Sequence, residues 1–421
     1  MSRLETLFGA DADVIHDDTF RVLLLGSLIS PLGTSLVSPL LDTLTGTFGA
    51  TEATIGLMVA AFTAPSVLLI PVAGMLSDRL GRKPLLVAGL VAFGAGGTLI
   101  TFTTDFRVVL ALRFLQGVGY CGIAPILIAS VGDLYEGDRE ATAQGLRFTT
   151  VGASLTVFPL LAGVLVALSW RYPFYLFALA FPAALAVALV FEEPTDGAEG
   201  GGSSVGDLLA VVRTPSVLVT VVGRTVPSFV WFAFLTYNSI VVVRLLGGSP
   251  GIAGALVALA SLTSSVGATQ VGRLTAAFET RTVPFAGTAV AGGVGLAALA
   301  LAPDVGPSFA LAAGGVVVLG FGFGVGISLY RSELSLLGPE STRGGLVSVG
   351  ESIGRVGSTA APVLVGAAVA ALRSELGFGP AIRTALLAAV VVAVVVGVAC
   401  AVLAVRFPAP TAPDRATRAD D

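Results

Sequence analysis

The stretch GMLSDRLGRKPLL, residues 74–86, places four charged side chains between two strongly apolar segments: Asp78, Arg79, Arg82 and Lys83. Gly74 opens the stretch, and Gly81 supplies the backbone freedom that a tight turn needs. Apolar residues make up 55% of the chain and charged residues 12%, with a mean hydropathy of +0.93. Such a composition is typical of a membrane protein, so the stretch is interpreted as a loop between two membrane-spanning helices.

Apolar runs bounded by charged or turn-forming residues predict an all-α membrane protein with twelve transmembrane helices. The sequence places them near residues 20–44, 51–77, 83–103, 106–132, 142–168, 171–191, 214–243, 251–275, 281–302, 306–336, 341–371 and 380–405. The segment FEEPTDGAEGGGSSVGD, residues 191–207, is rich in glycine, serine and acidic residues and is interpreted as a linker. We therefore divide the chain into a tail (1–19), a six-helix bundle (20–191), a linker (192–213), a second six-helix bundle (214–405) and a tail (406–421).

The distribution of basic residues predicts the orientation. Twelve crossings place both termini on one side, and the loops and tails of that side hold fourteen basic residues against five in the other loops. Basic residues are enriched in cytoplasmic loops, so both termini are expected to be cytoplasmic in a multi-pass protein of the plasma membrane. The five basic residues expected outside are Arg107, Arg171, Arg244, Arg373 and Arg383.

The two halves are also related to each other in sequence. Residues 74–89 align without gaps to GRLTAAFETRTVPFAG, residues 272–287, and share the first glycine, the leucine two residues on and the final Ala-Gly. PLLAG (159–163) likewise parallels PVLVG (362–366). Both matches fall at corresponding helices, which predicts two pseudo-symmetric bundles.

These motifs resemble those of the major facilitator superfamily. Residues 74–86 are similar to the family's signature after helix 2, ALRFLQGVGYCG (111–122) to its helix 4 signature, and GDLYEGDREATAQG (132–145) to its next loop. The overall likeness is to multidrug and metabolite exporters. GASLTVFPLLAG (152–163) departs from the Gly-Pro-x-x-Gly-Gly signature of the family's antiporters, because Phe158 and Ala162 replace glycines.

The resemblance implies a cytoplasmic latch. In relatives, the residue matching Asp78 approaches the start of helix 11, here near Ser341 to Gly345, where Arg343 also favours an anion. The residue matching Arg82 pairs with an acid at the end of helix 4, here Asp133. Plain anchoring of the loop by Arg79, Arg82 and Lys83 at the anionic leaflet is the alternative, and it leaves Asp78 without a role.

Charged residues at membrane depth are candidate site residues, because burying them is costly unless they are paired or solvated. The candidates for a central cavity that binds substrate or couples protons are Arg113, Gln116, Tyr120, Arg147, Arg224, Trp231, Asn238, Glu351 and Arg355. For Arg113 a structural and a functional role remain open. Glu351 and Arg355 have the spacing of an i,i+4 ion pair within one helix.

Together these features predict a secondary active transporter of a small organic solute that works by alternating access, and proton-coupled efflux through Glu351 is the favoured form. Uptake or uniport of a small metabolite or organic anion is the alternative, and a non-transporting membrane sensor is the alternative of another class. We expect a small-molecule substrate, H⁺ as the coupling ion and a monomer in the lipid bilayer. We expect no nucleic acid, metal or cofactor, since the sequence shows no metal-ligand spacing or nucleophile-base set.

Overall fold

A computed structural model describes residues 10–193, 210–278, 280–306, 308–338 and 343–407. Its described residues form helices joined by short loops, and twelve of these helices are long and apolar enough to cross a membrane. The expected number of spans is thereby confirmed. They are α1 (Asp18–Thr47), α2 (Leu57–Leu80), α3 (Arg82–Phe102), α4 (Phe106–Leu134), α5 (Gly137–Leu168), α6 (Tyr172–Val190), α7 (Pro215–Leu245), α8 (Pro250–Thr269), α9 (Thr282–Leu301), α10 (Phe309–Leu336), α11 (Gly344–Leu376) and α12 (Phe378–Ala404).

The helices form two bundles with the same internal packing. In the first bundle α4 packs against α2 and α3, and α3 packs against α6; in the second, α10 packs against α8 and α9, and α9 packs against α12. The bundles meet where α5 lies against α8 and where α2 lies against α11. The predicted pair of pseudo-symmetric six-helix bundles is confirmed. Most of the predicted linker lies outside the described residues.

The glycines of the repeated PLLAG and PVLVG segments lie at these two contacts. A Cβ on Gly163 of α5 would lie 2.6 Å from the Pro250 carbonyl oxygen at the start of α8. A Cβ on Gly366 of α11 would lie 2.2 Å from the carbonyl oxygen of Ala53, just before α2. Small residues allow backbones to approach this closely, so the repeat in sequence corresponds to a repeated helix contact between bundles.

Some helix bounds differ from the prediction. The chain from Gly137 is already helical, so only Tyr135 and Glu136 separate α4 from α5, although the sequence predicts a longer loop there. Span α1 is not one regular helix: an α-helix ends at Ile29, and short helical segments follow beside Pro31 and Pro39. Proline lacks an N–H and clashes with the preceding turn, which accounts for these breaks.

Alternate spans run in opposite directions, so the helix ends lie on two faces. We call the end that holds Asp18, Leu80 and Ala404 the termini face, and the other end the opposite face. Long apolar side chains on the outside of the bundles remain exposed, among them Leu68, Val164 and Leu189. Such a surface suits a lipid environment.

Candidate functional site

At the opposite face, charged side chains join the two bundles. The buried carboxylate of Glu52, between α1 and α2, accepts hydrogen bonds from Arg244 at the end of α7 and from Arg373 of α11. Arg244 also forms an ion pair with Asp42 and donates to the Thr45 hydroxyl at 2.6 Å. We call these five residues the opposite-face ion-pair cluster. Sequence reasoning missed its function, because Arg244 and Arg373 were interpreted only as loop charges.

Hydroxyl groups reinforce this closure between α1 and α7. Ser38 donates to the Leu235 carbonyl oxygen at 2.5 Å, and Ser239 donates to the Pro39 carbonyl oxygen at 2.8 Å. All four residues belong to helix segments near the opposite face. The bundles are therefore closed against each other at that face.

At the termini face, the charged loop makes its described contacts within the first bundle. The Asp78 side chain is 63% exposed and accepts a hydrogen bond from Arg82 at 2.5 Å, one turn away. Arg82 also donates to Asp133 at 2.9 Å, the partner that the resemblance implies. The expected contact with the start of α11 cannot be followed, because residues 341–342 and the Arg343 side chain lie outside the described part.

The rest of the loop forms the turn between α2 and α3. Gly81 has a φ of +93°, a left-handed value that favours glycine. Arg79 is exposed at the end of α2, Lys83 is partly buried in the first turn of α3, and Gly74 lies one and a half turns earlier in α2. Asp78 and Arg79 are thus exposed at this face, whereas Glu52 is buried at the opposite face.

Glu193, just after α6, holds this turn in place. Its carboxylate accepts hydrogen bonds from the backbone N–H groups of Arg82 at 3.0 Å and of Lys83 at 2.5 Å. An anion at a helix N-terminus satisfies free N–H groups and interacts favourably with the helix dipole. Glu193 falls within the predicted linker, for which the sequence predicts no contact with this turn.

Deeper between the bundles, Glu351 of α11 lies between two arginines from other helices. Arg224 of α7 donates to both carboxylate oxygens at 3.2 Å, and Arg331 of α10 donates to one at 2.7 Å. The predicted i,i+4 partner, Arg355, instead donates to the Tyr120 hydroxyl of α4 at 2.8 Å and lies over that ring. The alternative of a hydrogen-bonded Glu351–Arg355 pair is therefore not formed, because partners on neighbouring helices take both groups. The sequence predicts no role in the site for Arg331.

Arg147 of α5 faces the same region. Its side chain is buried, donates from Nε to the Gln144 side-chain oxygen at 3.0 Å and lies over the Phe148 ring. No acidic residue in the described part of the chain pairs with it. We call Arg147, Arg224, Arg331 and Arg355, with Glu351 and Tyr120, the arginine cluster.

Arg113 lies elsewhere, in the core of the first bundle. It is fully buried and donates to the carbonyl oxygens of Gly33 at 2.6 Å and Met58 at 3.0 Å. It also donates to Gln116 at 2.5 Å. These bonds connect α4 to α1 and α2. Such contacts correspond to the structural role of Arg113, one of the two alternatives that the sequence leaves open.

The three candidate site residues of α7, Arg224, Trp231 and Asn238, have different surroundings. Arg224 and Ser228 bond to each other at 2.8 Å and belong beside Glu351. Trp231 instead stacks on Phe323 of α10 with ring centroids 4.3 Å apart, and Asn238 donates to the Ala253 carbonyl oxygen of α8 at 2.9 Å. Both are buried within the second bundle, and their role in a central cavity stays a prediction.

Comparison with known proteins identifies the family. The family model of the Major Facilitator Superfamily matches residues 23–244, more than half of the chain. The chain belongs to the Major Facilitator Superfamily. Its twelve long apolar helices make it a multi-pass membrane protein of that family.

Similar proteins include named exporters. The chain is 34% identical to the bacillibactin exporter of Bacillus subtilis (strain 168) over 154 residues, 35% of this chain and 38% of that protein. It is 26% identical to the quinolone resistance protein NorA of Staphylococcus aureus over 223 residues, 52% of this chain and 57% of NorA. Each match thus spans less than two thirds of the relative's length.

Solved structures share the fold over almost the whole chain. A bacterial homologue of the human lysosomal transporter Spinster, in an inward-facing and unoccupied conformation, matches with a TM-score of 0.78 at 17% identity, covering 92% of this chain and 97% of the other. A D-xylose-proton symporter matches with a TM-score of 0.73 at 15% identity, covering 93% and 98%. At these identities the likeness concerns the fold alone.

Proposed function

We propose that this protein is a monomeric secondary active transporter of the plasma membrane that exports a small organic solute by alternating access. The observation that carries the proposal is the asymmetry between the faces. Within the opposite-face ion-pair cluster, the bonds from Arg244 and Arg373 to Glu52 join the bundles, whereas Asp78 is exposed at the termini face. Bundles that are joined at one face and free to separate at the other correspond to one of the two end states that alternating access requires.

The excess of basic residues in the loops of the termini face supports a cytoplasmic position for that face. With this orientation, we propose that the arrangement is the inward-facing state. Export rather than uptake is supported by the bacillibactin exporter and NorA, which are named for export and resistance. Because Phe158 and Ala162 depart from the antiporter signature, that signature gives no support for export, and the proposed direction of transport is based on these relatives.

Transition to the other state follows from the contacts between bundles. The glycine contacts of Gly163 and Gly366 let α5 and α11 pivot closely on α8 and on the residues before α2. Opening of the opposite face requires the bonds from Arg244 and Arg373 to Glu52 to break. Closure of the termini face brings Asp78 towards the start of α11, where the proposed latch forms.

Glu351 is the proposed proton-coupling residue. Both of its oxygens accept hydrogen bonds from guanidinium groups in this conformation. These charge-assisted bonds stabilise the ionised carboxylate, so a proton competes with the two arginines for it. We propose that solute binding or the change of state moves Arg224 or Arg331 away, which links protonation of Glu351 to transport.

Transport by liposomes that contain the full-length protein tests the proposal. Counterflow of labelled carboxyfluorescein, phthalate, ethidium and a neutral sugar shows whether any solute moves, and an imposed proton gradient shows whether it is driven. We expect at least one compound to exchange. We also expect it to accumulate against its concentration gradient when the imposed proton gradient drives protons in the opposite direction. If no compound moves, the proposal fails and the sensor alternative is favoured.

Glu351→Gln tests the coupling. The variant should lose proton-driven accumulation and the pH dependence of transport, while exchange without a gradient continues. Glu333→Gln is the matched control, because Glu333 pairs with Arg281 inside the second bundle, near the termini face. An unchanged pH profile in Glu351→Gln would place coupling elsewhere or make the protein a uniporter.

A further inference from the structure

The arginine cluster has an unbalanced charge. Arg147, Arg224, Arg331 and Arg355 converge between the bundles, and Glu351 is the one carboxylate that bonds to any of them within the described residues. Arginine remains protonated in proteins. The cluster therefore carries three positive charges in excess, and leaving charge uncompensated at membrane depth is unfavourable.

Arg147 shows most clearly that the cluster is incomplete. Its side chain is only 4% exposed, and its Nη2 atom has no hydrogen-bond partner among the described residues. A buried guanidinium donor without an acceptor is costly, so natural structures usually provide one. The missing acceptor at this position must come from something other than the neighbouring described side chains.

The unpaired charges surround a common region. Arg331 lies close enough to Arg147 and to Arg224 for their charges to repel. The Tyr120 hydroxyl lies within electrostatic range of Arg147, Arg331 and Arg355. Arg147 and Tyr120 belong to the first bundle, and the three other arginines belong to the second, so one bound group can contact both bundles.

This region opens towards the termini face. The Arg331 side chain is 39% exposed, whereas that of Arg224 is 5% exposed. At 1.5 Å of rise per residue, Arg331 lies about 8 Å from the end of α10, and Arg355 lies roughly 17 Å from the start of α11. An entering solute meets Arg331 first and the deeper arginines afterwards.

From this arrangement we infer that the arginine cluster binds an organic anion, a solute with a carboxylate, phosphate or similar group of several oxygens. Planar guanidinium groups bind such oxygens in pairs, which matches the unpaired donors of Arg147 and the position of Arg355. Glu351 then serves as the internal counter-ion that the anion partly replaces. The inference rests on the proposed transport function and adds the charge class of its solute.

The test uses the full-length protein in liposomes with carboxyfluorescein and phthalate as anions and ethidium as a cation. Counterflow gives transport, and the shift in thermal unfolding temperature gives binding. We expect both anions to bind and exchange, and Arg147→Gln to weaken their binding at least tenfold. Arg107→Gln, an exposed arginine at the start of α4, is the matched control and should leave anion binding unchanged.

Two further variants keep the test decisive. If Arg147→Gln does not fold, Arg147→Lys retains the charge without paired donors and should still weaken anion binding severalfold. Glu351→Gln removes the competing internal anion and should tighten anion binding severalfold. Weaker anion binding in Glu351→Gln would overturn the inference.

The outcomes separate the inference from the function on which it rests. Exchange of ethidium with no exchange or binding of either anion overturns the anion inference and leaves transport standing. Equal stabilisation by chloride at the same concentration also overturns it, because a simple ion would then suffice. No movement of any probe overturns the proposed function itself.

Discussion

Arg244, the penultimate residue of α7, donates a hydrogen bond to Glu52 and so joins the second bundle to the first at the opposite face. Arg373 donates to the other oxygen of the same carboxylate. Glu52 is buried, so its charge is largely shielded from water. Such charge-assisted bonds contribute more than exposed pairs do.

Glu52→Gln keeps the shape of the side chain and removes its charge. We expect it to favour opening of the opposite face by about 2–3 kcal/mol, a roughly 30- to 150-fold change in the population ratio. The measurement is the labelling rate of a cysteine placed at Thr236, a buried position against Gly56, in a background without Cys121 and Cys400. The rate should rise.

Asp304→Asn is the control for this prediction. Asp304 pairs with Arg383 at the same face but within the second bundle, so its loss should not affect closure. Equal labelling rates in Glu52→Gln and the parent protein would show that the cluster does not hold this face closed.

Asp78→Asn tests the latch at the termini face. In this conformation Asp78 is largely exposed and bonds only its neighbour Arg82 among the described residues, so the substitution costs this state little. If Asp78 bonds the start of α11 when the face closes, its loss shifts the equilibrium towards the open state by about 1–3 kcal/mol, roughly 5- to 150-fold. Transport should fall while solute binding remains.

The distance between spin labels at Ala141 and Ala277, on different bundles at the termini face, reports this shift. The distance is measured under conditions in which the open and closed states of the termini face are both populated. The population with the longer distance should increase in Asp78→Asn. Asp18→Asn is the control, because Asp18 forms a similar exposed pair with Arg21 inside the first bundle. An unchanged distance distribution would leave the loop as a membrane anchor only.

Arg113→Gln separates the two roles of that arginine. The shorter side chain leaves the carbonyl oxygens of Gly33 and Met58 without their donor in a buried site. We expect stability to fall by about 3 kcal/mol or more, seen as a lower thermal unfolding temperature. Arg107→Gln on the same helix serves as control. Unchanged stability together with lost transport would assign Arg113 to the transport reaction instead.

Glu193→Gln tests the cap on α3. The neutral amide keeps one acceptor oxygen but loses the charge that two backbone N–H groups share. A lost cap costs about 1 kcal/mol, so amide hydrogen exchange at Arg82 and Lys83 should become roughly fivefold faster. Glu192→Gln, at the exposed neighbouring residue, should leave exchange unchanged. Equal rates in both variants would contradict a capping role.

The sequence was sufficient for features that depend on local composition. Apolar run length predicted the twelve spans, and glycine with adjacent charges predicted the turn at Gly81, because both follow from nearby residues. The PLLAG and PVLVG repeats predicted the internal symmetry, although not that their glycines form the contacts between bundles.

Partners on distant helices could not be predicted in the same way. The i,i+4 spacing offers Arg355 as one possible partner of Glu351, whereas Arg224 and Arg331 bond to Glu351 from α7 and α10. Membrane helices are apolar on nearly every side, so periodicity gives little information on which side faces which neighbour. For the same reason Glu52 could not be distinguished from a solvated loop residue.

The charge imbalance of the arginine cluster has an electrical consequence. With the termini face cytoplasmic, as proposed, a membrane potential negative inside attracts three uncompensated positive charges towards that side. The work is about 2.3 kcal/mol per elementary charge per 100 mV for a full crossing of the field. The resting voltage then favours the empty transporter in its inward-facing state, and a bound anion, by neutralising the cluster, releases the protein from that bias.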